Sequence, residues 1–242
     1  MRIPRIYTQQ PLQAHVEIEL DDNAAHHVGK VLRMQAGREL VLFNGDGGEY
    51  AATIVDAGKK IVRIAITSFS EAERESPLPI HLGIGISRGE RLDWVLQKAT
   101  ELGVSKITPL FTERTEVKLT GPRLEKKQQH WQQILIAACE QCQRNTLPEL
   151  AAAERFDLWL PSVTESSRWV LHHRTDVSLG NTARPDSVAL VIGPEGGLSA
   201  AEIQRAQQYQ FQPLALGPRV LRTETPPIAA ISVLQYVWGD FN

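Results

Sequence analysis

The rhythm of apolar and polar positions changes once along this chain, close to residue 78. Before that point it is short and alternating. His15, Val16, Glu17, Ile18, Glu19 and Leu20 alternate polar with apolar, the period of a half-buried strand. Asp21 and Asn23 then stand where they can cap a short helix over 24–32. Three further strands are expected at 39–44, 50–56 and 61–69. The separators Gly45-Asp46-Gly47-Gly48 and Gly58-Lys59-Lys60 carry the chemistry of tight hairpin turns. Short strands joined in this way close most economically into a small barrel or sandwich. Residues 70–77 are charged, lack apolar period and end at Pro77, which marks an interdomain linker.

After the linker, apolar runs alternate with helical patterns. Residues 80–87 read as a strand, and 91–102 as a helix with Leu92, Val95, Leu96, Ala99 and Leu102 on one face, closed by Gly103. A strand at 104–111 and a long helix over 124–142 follow. The runs 169–172 and 188–192 suit strands buried on both faces. Ser199-Ala200-Ala201-Glu202 is a capping box opening a helix to 209, before a strand at 211–216 and a helix over 226–237. Alternation of this kind implies an α/β fold with a mainly parallel sheet, over a domain spanning 79–242. The expected organisation is therefore a β-rich domain at 1–70, a linker at 71–78 and the α/β domain.

Composition narrows the picture only slightly. The chain has 242 residues, 42% hydrophobic and 22% charged, the profile of an ordinary globular protein. No apolar run is long enough to span a bilayer, and the basic start Met1-Arg2-Ile3-Pro4-Arg5 leads into no apolar signal segment. With two cysteines there is no disulfide framework, and a cytoplasmic protein is expected. The net charge of −2 argues weakly against a nucleic-acid binder, yet a local basic patch neutralises phosphates whatever the total. Cys139 and Cys142 cannot complete a tetrahedral metal site, and packing within a helix is the better reading of them. The pairs His26-His27 and His172-His173 lack a carboxylate or cysteine at ligand spacing, so no metal is expected.

In open parallel sheets, ligands sit beyond the carboxyl ends of the strands, which directs attention to two loops. The first is G-P-E-G-G-L-S at 193–199, whose glycines let backbone approach a ligand closely. It is neither a P-loop nor a dinucleotide fingerprint, and taken alone a tight structural turn explains it equally well. The second is L-G-P-R-V-L-R-T-E-T at 216–225, followed by Pro226 and Pro227. Thr225 is placed to cap the last helix and Pro226 to be its first residue. Arg222 and Glu224 flank an apolar turn expected to be buried; a structural ion pair is the bland reading, a catalytic pair the sharper one.

Together the two loops closely resemble the signature of the SPOUT class of methyltransferases. The match is nearest to the bacterial family that methylates uridine N3 in small-subunit (16S) ribosomal RNA, the RsmE type. Further segments agree in order: M-R-I-P-R-I-Y at 1–7, H-V-G-K-V-L-R-M at 27–34, S-R-G-E at 87–90, Q-K-A-T-E-L-G-V at 97–104 and A-A-C-E-Q-C-Q-R-N at 137–145. The resemblance implies a PUA-like N-terminal β-barrel that binds RNA and a C-terminal domain tied in a trefoil knot around an S-adenosyl-L-methionine pocket. It also implies a homodimer acting on the assembled small subunit. It places Leu171, His172, Ile192, Gly193, Pro194, Glu195, Gly196, Gly197, Leu216, Gly217, Val220, Leu221 and Thr223 at the cofactor. It gives Arg222 and Glu224 catalytic roles, and it suggests Arg2, Arg5, Lys30, Arg33, Arg88, Arg144 and Asn145 as substrate contacts. The chain departs from the family at Pro226-Pro227, where small residues are usual; each proline removes a main-chain donor.

Methylation at uridine N3 requires loss of the imide proton and stabilisation of charge on O2 and O4. A guanidinium from Arg222 suits the second task, while Glu224 suits the first or anchors Arg222. Rival readings are a methyltransferase of another RNA position (ribose 2′-oxygen or guanine N1), a small-molecule methyltransferase, and a non-catalytic RNA-binding protein. Only the family-level resemblance favours uridine N3.

Overall fold

The computed structural model describes residues 3–58, 61–172 and 183–241. Arg2, His173 and the Lys59-Lys60 part of one expected turn lie outside them. The chain divides into two compact units, Met1–Glu75 with Ile136–Leu147, and Ser76–Leu135 with Pro148–Asn242.

The first unit holds strands β1 (Arg5–Tyr7), β2 (Glu17–Glu19), β3 (Glu39–Phe43), β4 (Glu49–Ala57) and β5 (Val62–Ser70) in the order β1-β3-β4-β5-β2. Only β1 and β3 run parallel; the other pairs are antiparallel. Alternate residues point inward, so Leu40, Leu42, Ala52, Ile54, Ile64 and Ile66 share one core with Ile6 and Val28. Strand β1 escapes sequence reading because three residues carry no measurable period. Asp21 does cap helix α1 (Asp22–His26), accepting from the Asn23 and Ala24 amides at 3.0 and 2.9 Å. The expected helix over 24–32 is not continuous. A π-helical turn occupies His27–Val31, where valines and a glycine weaken α geometry.

Residues 136–147 complete this unit through a buried polar network. Arg5 donates to Glu49 at 2.5 Å and to the Asn145 side-chain oxygen, and Asn145 donates to the Ala72 carbonyl at 2.5 Å. Arg144 holds Glu75 by two hydrogen bonds, from Nε at 2.8 Å and from Nη2. Glu140 accepts from the Tyr7 amide at 3.0 Å and lies 3.6 Å from His27 Nδ1. That carboxylate raises the His27 pKa above its ordinary 6.5, outweighing the opposite effect of burial. A raised histidine pKa adds stability that is complete below 6.5 and is lost as pH rises through the folded value. The melting-temperature difference between wild type and His27→Gln should therefore narrow with rising pH. A difference that stays flat between about pH 5.5 and about pH 8.5 would show that the pair contributes nothing.

The second unit carries a seven-stranded parallel sheet. Its strands are β6 (Ile80–Gly85), β7 (Lys106–Phe111), β8 (Glu149–Leu150), β9 (Glu154–Arg155), β10 (Ser167–Leu171), β11 (Val188–Ile192) and β12 (Gln212–Leu214). The order is β12-β10-β11-β6-β7-β8, with β9 also pairing β7. The helices are α2 (Arg91–Glu101), α3 (Pro122–Cys142, whose end belongs to the first unit), α4 (Phe156–Trp159), α5 (Ala200–Gln208) and α6 (Thr225–Trp238). The β11 run lacks alternation because both faces are covered. Val188, Leu190 and Ile192 join the cluster with α2 and α6, while Ala189 and Val191 join the one with Trp159 and Phe211. Buried Gln235 fixes α6 by donating to the Leu102 carbonyl at 2.7 Å and accepting from Ser76 at 2.6 Å. No helix among the described residues is long and apolar enough to cross a membrane.

Candidate active site

The carboxyl ends of β10, β11 and β12 gather both glycine-bearing loops. After β11 the chain turns tightly, with the Gly197 amide donating to the Pro194 carbonyl at 2.8 Å, and then enters α5 through a complete capping box. Ser199 accepts from the Glu202 amide at 3.1 Å, and Glu202 accepts from the Ser199 amide at 2.8 Å. The second Glu202 oxygen takes the Glu113 amide at 2.9 Å, so this buried carboxylate also secures the segment that follows β7.

Two side chains brace the turn itself. Glu195 points away to accept from the Arg88 amide at 2.7 Å and the Arg91 guanidinium at 2.8 Å. Burial alone would raise its pKa, but hydrogen bonds from its own backbone and that of Arg88, together with Arg91, hold the carboxyl below the usual range. Arg114 donates to the Gly196 carbonyl at 2.5 Å from the other side.

The loop after β12 is tied back on itself by the Thr225 amide, which donates to the Arg222 carbonyl at 2.9 Å. Thr225 is not the cap of α6. Glu224 takes the N-cap position with no side-chain cap bond, and the two prolines fill the first turn, where main-chain donors have no intrahelical acceptor. The turn is also not buried as expected: Val220 is 92% exposed, Arg222 is exposed and Glu224 half-buried. Among the described residues neither Arg222 nor Glu224 has an ion-pair partner.

Between these loops lies a cavity of about 350 Å³. Leu171 and His172 line it from the end of β10, residues 192–197 from the end of β11, and Leu216, Gly217, Val220, Leu221 and Thr223 from beyond β12. Every residue that the family resemblance places at a cofactor thus borders one space. Arg222 and Glu224 flank the lining residue Thr223 without lining the cavity themselves. Its size falls within the range of small-molecule sites, and its walls mix aliphatic side chains with loop backbone.

Residues 74–235 match the model of the RNA methyltransferase domain family, and residues 20–67 match that of the RNA methyltransferase PUA domain. The ribosomal RNA small subunit methyltransferase E of Buchnera aphidicola subsp. Schizaphis graminum is 39% identical, over 100% of this chain and 99% of its own. The chain belongs to the ribosomal RNA small subunit methyltransferase E family. Its Bacillus subtilis member is 29% identical over 95% of this chain and 93% of its own length. Among solved structures, a Legionella pneumophila protein holding the bound cofactor SAM superposes with a TM-score of 0.97 at 47% identity, covering all of both chains. The Neisseria gonorrhoeae methyltransferase E bound to S-adenosyl methionine gives a TM-score of 0.93 at 36% identity, again over all of both.

Among the described residues, the suggested substrate contacts fall into two groups. Lys30, Arg33 and Arg88 are exposed, although Arg88 is paired with Glu116 at 2.9 Å. Arg5, Arg144 and Asn145, suggested as substrate contacts, lie in the interior of the first unit: Arg5 donates to Glu49 and Asn145, Arg144 to Glu75 and Asn145 to the Ala72 carbonyl, while Arg5 Nε is buried without a hydrogen-bond partner among the described residues. Their clustering reflects a scaffold whose partners come from distant parts of the sequence. Conversely, Arg114, Leu198, Ile203, Arg219 and Pro226 line the cavity although they are not among the residues expected at the cofactor. A signal for Arg114 exists, since it follows the carboxyl end of another sheet strand.

Proposed function

We propose that this chain transfers the methyl group of S-adenosylmethionine to N3 of one uridine in the 16S RNA of the assembled small ribosomal subunit. The observation that carries the reading is the closure of both glycine-bearing loops on one cavity, with Arg222 and Glu224 beside its rim. The residues fit the cofactor. A Cβ at Gly193 would meet the Gly197 and Leu198 backbone at 2.6 Å, so the cradle is built from main chain and leaves polar backbone groups available to a ligand. Ile192, Leu216 and Leu221 offer apolar surface to an adenine, and Thr223 a hydroxyl. When bound, S-adenosylmethionine supplies an electrophilic methyl group on sulfur. The protein aligns the uracil ring with it, Arg222 stabilises charge on the uracil oxygens, and Glu224 either accepts the N3 proton or anchors Arg222.

Residues 1–70 serve as the RNA-binding domain, completed by Ile136–Leu147, and the rest of 79–242 as the catalytic domain, with the chain knotted around the cavity as in the class it resembles. Activity belongs to a homodimer in the cytoplasm. Supporting the dimer, Val233, Tyr236 and Val237 of α6, with Phe241 beyond it, are exposed apolar residues at helical spacing, and Val220 adds to them. The test is radiolabelled methyl transfer to small subunits from a strain lacking the gene, followed by nucleoside analysis. Label in 3-methyluridine alone is expected; label in a ribose or in guanine would overturn the assignment of position, and no label would overturn the substrate.

Arg114, one of two arginines lining the cavity, makes a separate prediction. Arg114→Ala removes the donor on the Gly196 carbonyl and frees one side of the loop. Its cofactor Kd by calorimetry should rise about three- to tenfold, at most about 1.4 kcal/mol because the site is open to solvent. An unchanged Kd would show that Glu195 and the capping box hold the loop alone.

A further inference from the structure

We propose that the turn between Val28 and Met34 is a nucleobase-contacting tip, in which Val31 and Leu32 lie against unpaired bases of RNA while Lys30 and Arg33 hold the flanking phosphates. This rests on the reading of the protein as an RNA-modifying enzyme and names how its first unit grips single-stranded RNA.

The turn is built to project. Val28 is fully buried and Met34 nearly so, and the chain between them leaves the core and returns within five residues. The π-helical turn inserts an extra residue, with the Leu32 amide reaching the His27 carbonyl at 2.9 Å. Arg33 then adopts φ 51°, a left-handed conformation uncommon for a long side chain, which lets the Met34 amide donate to the Val28 carbonyl at 3.0 Å. The base is braced where Glu140 meets His27 and the Tyr7 amide.

What the detour displays is two aliphatic side chains between two cations. Val31 is 60% and Leu32 40% exposed, although polar residues would serve a purely structural turn as well. Lys30 and Arg33 are exposed on either side, and no carboxylate occurs between Asp22 and Glu39 in the sequence. Asp21, just before, is engaged by Thr8 and the α1 cap. A second copy of this chain is a poor occupant, because self-association would bring four cations together with no carboxylate supplied by either turn. An anionic polymer with exposed apolar faces complements the patch, and unpaired RNA is that polymer. A regular duplex hides its base faces and meets only the charges.

The test measures binding of the full chain to a fluorescent oligouridine and to its duplex with oligoadenine, between about 50 and about 200 mM salt. Lys30→Ala/Arg33→Ala should reduce the slope of log K against log salt by about 1.4 on the single strand, about 0.7 for each phosphate that is no longer neutralised. Val31→Ser/Leu32→Ser should weaken single-strand binding by about tenfold or more with the slope unchanged, and duplex binding hardly at all. All four side chains are exposed, so melting temperatures should stay at the wild-type value. Wild-type affinity in the serine variant would overturn the proposal while leaving the enzyme reading intact. A serine variant that instead changes the sedimentation of the protein alone would reassign the patch to self-association. A wild-type chain that binds neither RNA would bring down the RNA reading itself, and the proposal with it.

Discussion

Arg222→Ala is expected to slow methyl transfer by about two to three orders of magnitude while leaving cofactor affinity within about threefold. The reason is timing. Negative charge appears on the uracil oxygens only as the N3 proton departs, so a guanidinium aimed there interacts more strongly with the transition state than with bound substrate. Its loss should appear in kcat rather than KM, at about 2.7–4 kcal/mol. Because Arg222 is exposed in the single chain, the full effect requires its surroundings to be covered when RNA is in place. Arg222→Lys restores charge without the planar fork and should recover only part of the loss. Single-turnover kinetics beside calorimetry checks this; normal turnover in Arg222→Ala would remove the residue from the mechanism.

The same measurement divides the two roles open to Glu224. It stands at the N-cap position of α6 without capping it, two residues from Arg222, with no ion-pair partner among the described residues. A proton acceptor cannot be replaced by an amide, so Glu224→Gln should then be as slow as Glu224→Ala, and both should recover as rising pH ionises the uridine in solution. A residue that merely anchors Arg222 is replaceable by Gln, whose side-chain oxygen still accepts from a guanidinium. Gln retaining activity where Ala loses it would therefore assign Glu224 to positioning.

Local pattern made much of this architecture readable. The five apolar residues of β11, the Ser199–Glu202 capping box and the two loops at strand ends are short-range features, and each occurs where its pattern put it. What could not be read depends on pairs far apart in the chain. Arg5 and Asn145 are separated by 140 positions, and Arg114 and Gly196 by 82, so neither the burial of the first pair nor the brace formed by the second leaves a mark on local spacing. A cluster of basic residues reads alike whether its guanidiniums meet phosphate or buried carboxylates. Strands β8 and β9, two residues each, are defined by their pairing with β7 rather than by composition. The broken helix at His27 follows from a single extra residue, which apolar periodicity absorbs without trace.

The glycines of the first loop separate steric from conformational need, and this gives the second large effect. At Gly193 an added methyl would lie 2.6 Å from both the Gly197 carbonyl carbon and the Leu198 nitrogen, all backbone with little freedom to yield. The turn over 194–197 must then move, and with it the Gly196 carbonyl held by Arg114 and the entry to α5. Gly193→Ala should destabilise the fold by about 1–3 kcal/mol. It should also raise the cofactor Kd by more than about tenfold, because a displacement of a few tenths of an ångström in a main-chain cradle misaligns several contacts at once. Gly197 is the control. Nothing lies within 4 Å of its added methyl, and only its φ of 67° disfavours a side chain. Gly197→Asn, which tolerates that conformation, should keep most of the affinity that Gly193→Ala loses. If the two variants bind alike, the loop is flexible enough to rebuild around a methyl group, and the cavity owes its shape to the helices beneath it rather than to close contact of backbone with backbone.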